Sequence, residues 1–256
     1  MRAATLAPWI GLGLAVASAP RQPLLPPITV SAAVSLTDVL QAEAMAYTQA
    51  GGGTVRFNFG PSNTLARQIL AGAPVDLFIS ADEAQMNVVA RGGLVAGGSR
   101  VDLLGNQLAV VVPDDRRRVL GGLRDLLDPA FERIAIGDPA AVPAGVYAKQ
   151  CLQRAGLWDR LRSRVVPSAS VRAALAAVDS GSADVAIVYR TDVRVARHST
   201  IAFVVPVDRA PTIVYPAAIV TSGRQPEGAR RFLDFLRGEA GAVIFRRFDF
   251  TPAPHG

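Results

Sequence analysis

The chain is poor in the residues that do covalent and metal chemistry. Among 256 residues it has one cysteine, two histidines and a single lysine, Lys149. Cys151 alone cannot form an intrachain disulfide, and no cysteine spacing of a metal site exists. Its place within a helical pattern is that of a small core residue. His198 falls in a polar turn and His255 is next to the last residue, both far in sequence from any candidate nucleophile. No Gly-x-Ser-x-Gly is present, so neither a zinc site nor a Ser/His hydrolase is supported. Aromatics make up 6% of the chain. The formal charge of +6 comes from scattered arginines. The densest run, Arg116-Arg117-Arg118, follows Pro113 and sits beside Asp114 and Asp115, which predicts a solvated turn. A nucleic-acid interface needs a clustered basic face with stacking aromatics or a known motif, and the sequence offers neither. No repeat of solenoid period occurs.

What the chain has is apolar residues, 50% of the total, enough for the core of one large domain or two small ones. Residues 1–17 read as an export signal: Arg2, an apolar stretch over 6–16 too short and too rich in Gly and Pro to span a membrane comfortably, then Ala15-Val16-Ala17 before Ser18. An uncleaved anchor is the alternative. Residues 18–27 form a proline-rich leader.

From Ile28 onward strand and helix patterns alternate, which predicts an α/β architecture with mainly parallel sheets. Strands are expected over 28–30, 55–59, 75–80, 108–112, 134–136, 165–166, 183–189, 201–205 and 217–220. Helices are expected after Ser35 and over 64–71, 81–90, 123–127, 146–155, 171–178, 227–236 and 239–248.

The organising stretch is Ala33-Val34-Ser35-Leu36-Thr37-Asp38, where a short apolar run ends in small residues and passes straight into a helical pattern. Ser35 with Asp38 three residues on predicts a capping box. Such a junction suits an anion, because the first amides of a helix have no intrahelical partner and the helix dipole is positive there. Similar helix starts recur at Ser62, at Ala144-Gly145 and at Ser170-Val171, and Tyr189 ends a strand. In open α/β sheets ligands bind at the carboxyl ends of strands. Each donor to an ionised group contributes roughly 1.5–3 kcal/mol, so a handful could hold a dehydrated dianion without lysine or arginine.

These residues also carry a likeness. The chain resembles the periplasmic molybdate-binding proteins of ABC transporters through Ala33-Val34-Ser35-Leu36-Thr37, residues 62–69, residues 71–82, Leu104-Gly105-Asn106, Gly137-Asp138-Pro139 with residues 142–149, residues 171–175, and Ile187-Val188-Tyr189. The matches run in family order from about Ile28 to Thr251. The resemblance implies a two-lobe type II periplasmic binding-protein fold with two crossover segments and a ligand cleft between the lobes. One lobe would hold residues 28–107 plus 208–256, the other residues 108–207. The family's oxyanion contacts fall on Ser35 and Ser62 (hydroxyl and backbone N–H), on the N–H groups of Ala144 and Val171, and on the Tyr189 hydroxyl. Molybdenum would be bound only as the oxyanion through these residues.

The implied function is capture of molybdate, and of tungstate with it, for delivery to a permease of the inner membrane. The protein would be a periplasmic monomer, not an enzyme, with no permanent cofactor. The alternatives are a binder of another tetrahedral oxyanion such as sulfate, or an enzyme on the same two-lobe fold. Two departures bear on the site. Gly60-Pro61 precedes Ser62 where many relatives carry serines, which removes one amide donor. Arg190 follows Tyr189 directly, and strand alternation is expected to turn it away. Asp38, Asp138 and Asp192 are expected to cap helices or loops, leaving the cleft free of carboxylates.

Overall fold

Continuous apolar runs and amphipathic segments build two sheets, with helices packed against them. The computed structural model describes residues 26–116 and 118–254; the expected export signal, most of the leader and His255 lie outside the described residues. The chain starts with β1 (Ile28–Ala33), α1 (Thr37–Gln49), β2 (Val55–Gly60), α2 (Ser62–Leu70), β3 (Leu77–Ile79), α3 (Glu83–Arg91) and β4 (Val101–Gly105). The middle holds β5 (Leu108–Pro113), β6 (Ile134–Gly137), α4 (Pro143–Arg154), α5 (Trp158–Leu161), β7 (Val165–Ser168), α6 (Val171–Asp179), β8 (Val185–Tyr189) and β9 (Ser199–Val204). The last part is β10 (Val214–Ile219), α7 (Pro226–Arg237), α8 (Glu239–Arg247) and β11 (Thr251–Pro252).

The first sheet has the order β11-β4-β10-β3-β1-β2 and the second β7-β6-β8-β5-β9. The first lobe therefore takes strands from both ends of the chain and the second from its middle. Two segments cross between them: Asn106 and Gln107 link β4 to β5, and residues 205–213 link β9 to β10. The expectation of mainly parallel sheets holds where helices make the crossovers: β1 with β2 and β3, and β6 with β7 and β8. It fails for β10, β4, β11, β5 and β9, which pair antiparallel. A parallel neighbour requires a long crossover on one face of the sheet, and these strands adjoin the inter-lobe links or the chain's end instead.

Burial follows the strand periods. β8 is buried throughout, and β5 up to its terminal Pro113, which explains their unbroken apolar runs. α2 buries Leu65, Ala66 and Ile69, one helical face. Each such large side chain contributes about 1.5–3 kcal/mol when fully buried. In the first lobe Tyr47 on α1 packs edge-on against Phe232 of α7, with ring centroids 5.1 Å apart.

Three local readings change. α4 begins at Pro143, not at 146, because proline fits the first helical position, where its missing N–H costs nothing. Residues 123–127 form a 3-10 helix. Val101–Gly105 is a strand that the pattern did not reveal, since its first two residues are partly or fully exposed.

Candidate functional site

Helix starts from both lobes face each other across one narrow cleft. Ser35 and Ser62 stand on one wall; Ala144, Val171 and Tyr189 stand on the other. The space between these walls, its open mouth included, is about 230 Å³. It suits one small ion. A larger groove of about 1130 Å³ lies on the second lobe, lined by Arg124, Arg154 and Asp208 among others, and none of the recurring helix starts opens into it.

The local folding of each wall residue differs in detail from the sequence reading. Ser35 does not form a capping box with Asp38. A 3-10 turn, Val34–Leu36, precedes α1, so Ala33 holds the cap position and Ser35 lies inside the turn. The Ser35 hydroxyl instead meets the Tyr215 hydroxyl at 3.1 Å. Ser62 is not the N-cap of α2 either: Pro61 is, and Ser62 is the first helical residue. Its Oγ accepts the Ala81 N–H at 2.9 Å. With that lone pair engaged, the Ser62 hydrogen is free to point into the cleft. Ser170 does cap α6, accepting the Ala173 N–H at 3.1 Å, and so leaves Val171 at the first position of the helix. Ala144 is the second residue of α4. The amides of Val171 and Ala144 are thus first-turn N–H groups that no helical carbonyl can reach.

Close packing sets the position of Ala144. A Cβ built on Gly145 would stand 1.9 Å from the Gly137 carbonyl oxygen, so the start of α4 lies directly on the end of β6. Only glycine permits that approach. On the same wall, the Tyr189 hydroxyl is buried and has no partner among the described residues. Burial holds its pKa well above the usual phenol value, so it keeps its hydrogen and can donate it.

Among the described residues, no charged side chain lines the cleft. Asp138 caps its own loop, accepting the Ala140 N–H at 2.9 Å, as expected. Asp38 and Asp192 do not cap; both bind Arg172, whose Nη2 reaches Asp38 at 2.7 Å and whose Nε reaches Asp192 at 2.5 Å. The sequence reading missed this because the partners come from α1, α6 and the turn after β8. Burial pushes the Asp192 carboxyl up to about 6, against the pull of Arg172. Asp82 caps α3 through the Gln85 N–H, and burial raises its pKa as well. Arg190 turns away from Tyr189, with Nη1 on Gln107 Oε1 at 3.2 Å and Nη2 3.7 Å from Asp249. Arg190 lies in the 3-10 turn that follows β8, so the turn and not the expected strand alternation directs it.

Sequence reasoning also missed Tyr215 and gave Asn106 no role. Asn106 donates from Nδ2 to Thr191 Oγ1 at 2.9 Å and to Tyr215 Oη at 3.2 Å. Asn106 lay within the quoted Leu104-Gly105-Asn106 stretch, whereas Tyr215 sits in an apolar strand with no local signal. The register of β10 slips between Tyr215 and Pro216, where proline offers no N–H to the ladder.

Residues 28–251 match the family of bacterial extracellular solute-binding proteins. The chain belongs to that family. Within it, the chain is 40% identical over 230 residues to the molybdate-binding protein ModA of Escherichia coli (strain K12), covering 88% of each. Its fold is similar to that of the substrate binding domain of a putative molybdenum ABC transporter from Clostridium difficile, with a TM-score of 0.71 and 31% identity over 89% of this chain and 99% of that one. The periplasmic molybdate-binding protein of Azotobacter vinelandii superposes with a TM-score of 0.77 at 25% identity, over 88% of this chain and 98% of that one. These solute-binding proteins share the two-sheet arrangement described above, with its type II periplasmic-binding architecture.

Proposed function

We propose that this solute-binding protein captures molybdate, and tungstate with it, as a dehydrated dianion between its lobes and delivers it to an ABC permease of the inner membrane. The observation that carries the reading is a small cleft lined by hydroxyls and helix-start amides and, among the described residues, by no charged side chain. The 40% identity to a protein named for molybdate binding supports the cargo. In this reading Ser35, Ser62 and Tyr189 donate their hydroxyl hydrogens, and Ser35, Ser62, Ala144 and Val171 donate backbone N–H groups. The lobes are residues 28–107 with 208–256, and residues 108–207. The protein works as a periplasmic monomer released from its export signal. The anion is cargo, so no permanent cofactor is needed.

Selectivity has two physical sources. A site with donors only gives no acceptor to an oxyanion that keeps a proton at neutral pH, and a buried O–H without a partner is costly. Phosphate is penalised in this way. The size of the ring of donors then separates molybdate and tungstate from the smaller sulfate. An enzyme on the same frame would need a reactive group in the cleft. Cys151 is buried on α4, with its Sγ against the Arg209 carbonyl and its thiol pKa raised by burial, which favours the binding role.

Calorimetric titration of the mature protein with molybdate, tungstate, sulfate and phosphate at neutral pH tests the reading. Submicromolar binding of the first two, with little response to the others, is the expected result. Tight sulfate binding would move the cargo and keep the transport role.

A further inference from the structure

The hydrogen-bond partners around Ser35 fix the direction in which its hydroxyl points. Asn106 Oδ1 accepts the Gln107 N–H at 2.8 Å. The opposite placement of its amide would set an NH2 group against that N–H, so Nδ2 must face the two hydroxyls. It donates to Thr191 Oγ1 and to Tyr215 Oη. Tyr215 Oη, already an acceptor, has one hydrogen of its own, and the remaining neighbour is Ser35 Oγ at 3.1 Å. Tyr215 is wholly buried, so a hydrogen turned elsewhere would lack a partner. Burial also raises its pKa above the usual phenol value, which keeps that hydrogen in place at any ordinary pH. The chain of donors therefore runs from Asn106 to Tyr215 to Ser35, and the Ser35 hydrogen is left for the cleft.

We infer that Asn106 and Tyr215 are positioning residues that hold the Ser35 hydroxyl as a donor toward the anion and so exclude oxyanions that carry a proton. Neither residue lines the cleft. The inference rests on the reading of Ser35 as an anion contact. A serine hydroxyl can rotate to donate or to accept. A lone Ser35 would turn its hydrogen elsewhere and accept a hydrogen phosphate O–H through a lone pair; with Tyr215 donating to one of its two lone pairs, Ser35 has no acceptor among the described residues for its own hydrogen, so accepting at the cleft would leave that hydrogen without a partner. The Ser62 hydroxyl is committed in the same sense by the Ala81 N–H, through backbone alone. The relay gives Ser35 the same polarity through side chains, and it starts on the short link between the lobes.

The test compares Tyr215→Phe, Asn106→Ala, Ser35→Ala and the double variant Ser35→Ala with Tyr215→Phe in the full mature protein. Molybdate and inorganic phosphate are titrated at pH 8, where phosphate is mainly the singly protonated dianion. Loss of an aligned donor to an ion corresponds to about tenfold to a hundredfold in affinity. Tyr215→Phe is expected to weaken molybdate at least tenfold while phosphate affinity holds or rises, so the molybdate-to-phosphate ratio falls. Asn106→Ala should lower the ratio in the same direction, and it stands as the test if Tyr215→Phe fails to fold. In the Ser35→Ala background, Tyr215→Phe should add less than about threefold, since the relay acts only through Ser35. A uniform loss for both anions, or full additivity in the double variant, would overturn the relay and leave Tyr215 a structural role. Weakening by Ser35→Ala with Tyr215→Phe silent would overturn the relay alone. Unchanged molybdate affinity in Ser35→Ala would remove the site reading and the relay with it.

Discussion

Arg172 at the start of α6 reaches across the cleft to Asp38 in the first turn of α1, at 2.7 Å. The same guanidinium holds Asp192, which is fully buried. Two helix starts that supply candidate anion contacts, Val171 and Ser35, are thereby tied to one another by a charge pair that does not enter the cleft. The bridge joins a helix of one lobe to a helix of the other. Asp38 is half-exposed, so the pair contributes in the range of about 0.2–1 kcal/mol found for exposed ion pairs. Asp38→Ala is expected to raise the molybdate release rate by about twofold to fivefold, more at low than at high salt. Stopped-flow release kinetics check it. Arg172→Met should be far worse for the fold, by about 3 kcal/mol, because Asp192 would remain buried without its cation.

Removing two donors at once probes the first lobe's wall. Ser35→Ala combined with Ser62→Ala should weaken molybdate binding by at least about a hundredfold, at roughly 1.5 kcal/mol or more for each bond to the ion. The far-ultraviolet circular dichroism should not change. An unaltered dissociation constant would place the site elsewhere.

Glu43 has no exposure and neither carboxyl oxygen has a partner among the described residues. It lies on the buried face of α1 with Val39, Leu40 and Tyr47. Burial pushes its carboxyl from 4.5 up to about 8. The sign follows from linkage: the folded state holds the proton more tightly than the unfolded state, so this contribution to stability is complete below about pH 4.5 and is lost as the pH rises through about 8. Glu43→Gln, which stays neutral, should therefore raise the melting temperature at pH 8.5 by about 3 °C or more and change it little at pH 5. Thermal scans at the two pH values decide it; equal shifts at both would show that ionisation is not the cause.

Gly145 has no room for a side chain, with the Gly137 carbonyl carbon 2.4 Å from the position of a Cβ. Gly145→Ala should push the start of α4 off β6, cost about 2 kcal/mol or more, and move the Ala144 amide out of line. Denaturant unfolding together with molybdate titration measures both effects. Gly181, which ends its helix region at φ +73° with open space around it, should show no loss of anion binding when changed to Asn, a residue that tolerates this conformation.

Most elements were legible because their signals are local. The apolar run of β5, the glycine stops after α2 and α3, and the hydroxyl or small residues at helix starts are each written within a few residues. The five cleft residues could be named for the same reason: a first-turn amide or a strand-end tyrosine is recognised from its own neighbourhood, and the family likeness pointed to the same places. What the sequence could not decide was which atoms those residues face. Ser35 looked like a cap for its own helix, yet its partner is Tyr215, 180 positions away. Asp38 and Asp192 looked like local caps, yet both close on Arg172. Asn106 and Tyr215 acquire a role only when β4 and β10 lie side by side in the first sheet. By itself the sequence determined which groups can donate, because donor capacity is a property of residue type and of position in a helix. Tertiary structure decided which of those donors are free for an anion, because each lone pair or hydrogen engaged by a distant neighbour is one that the cleft no longer has to satisfy.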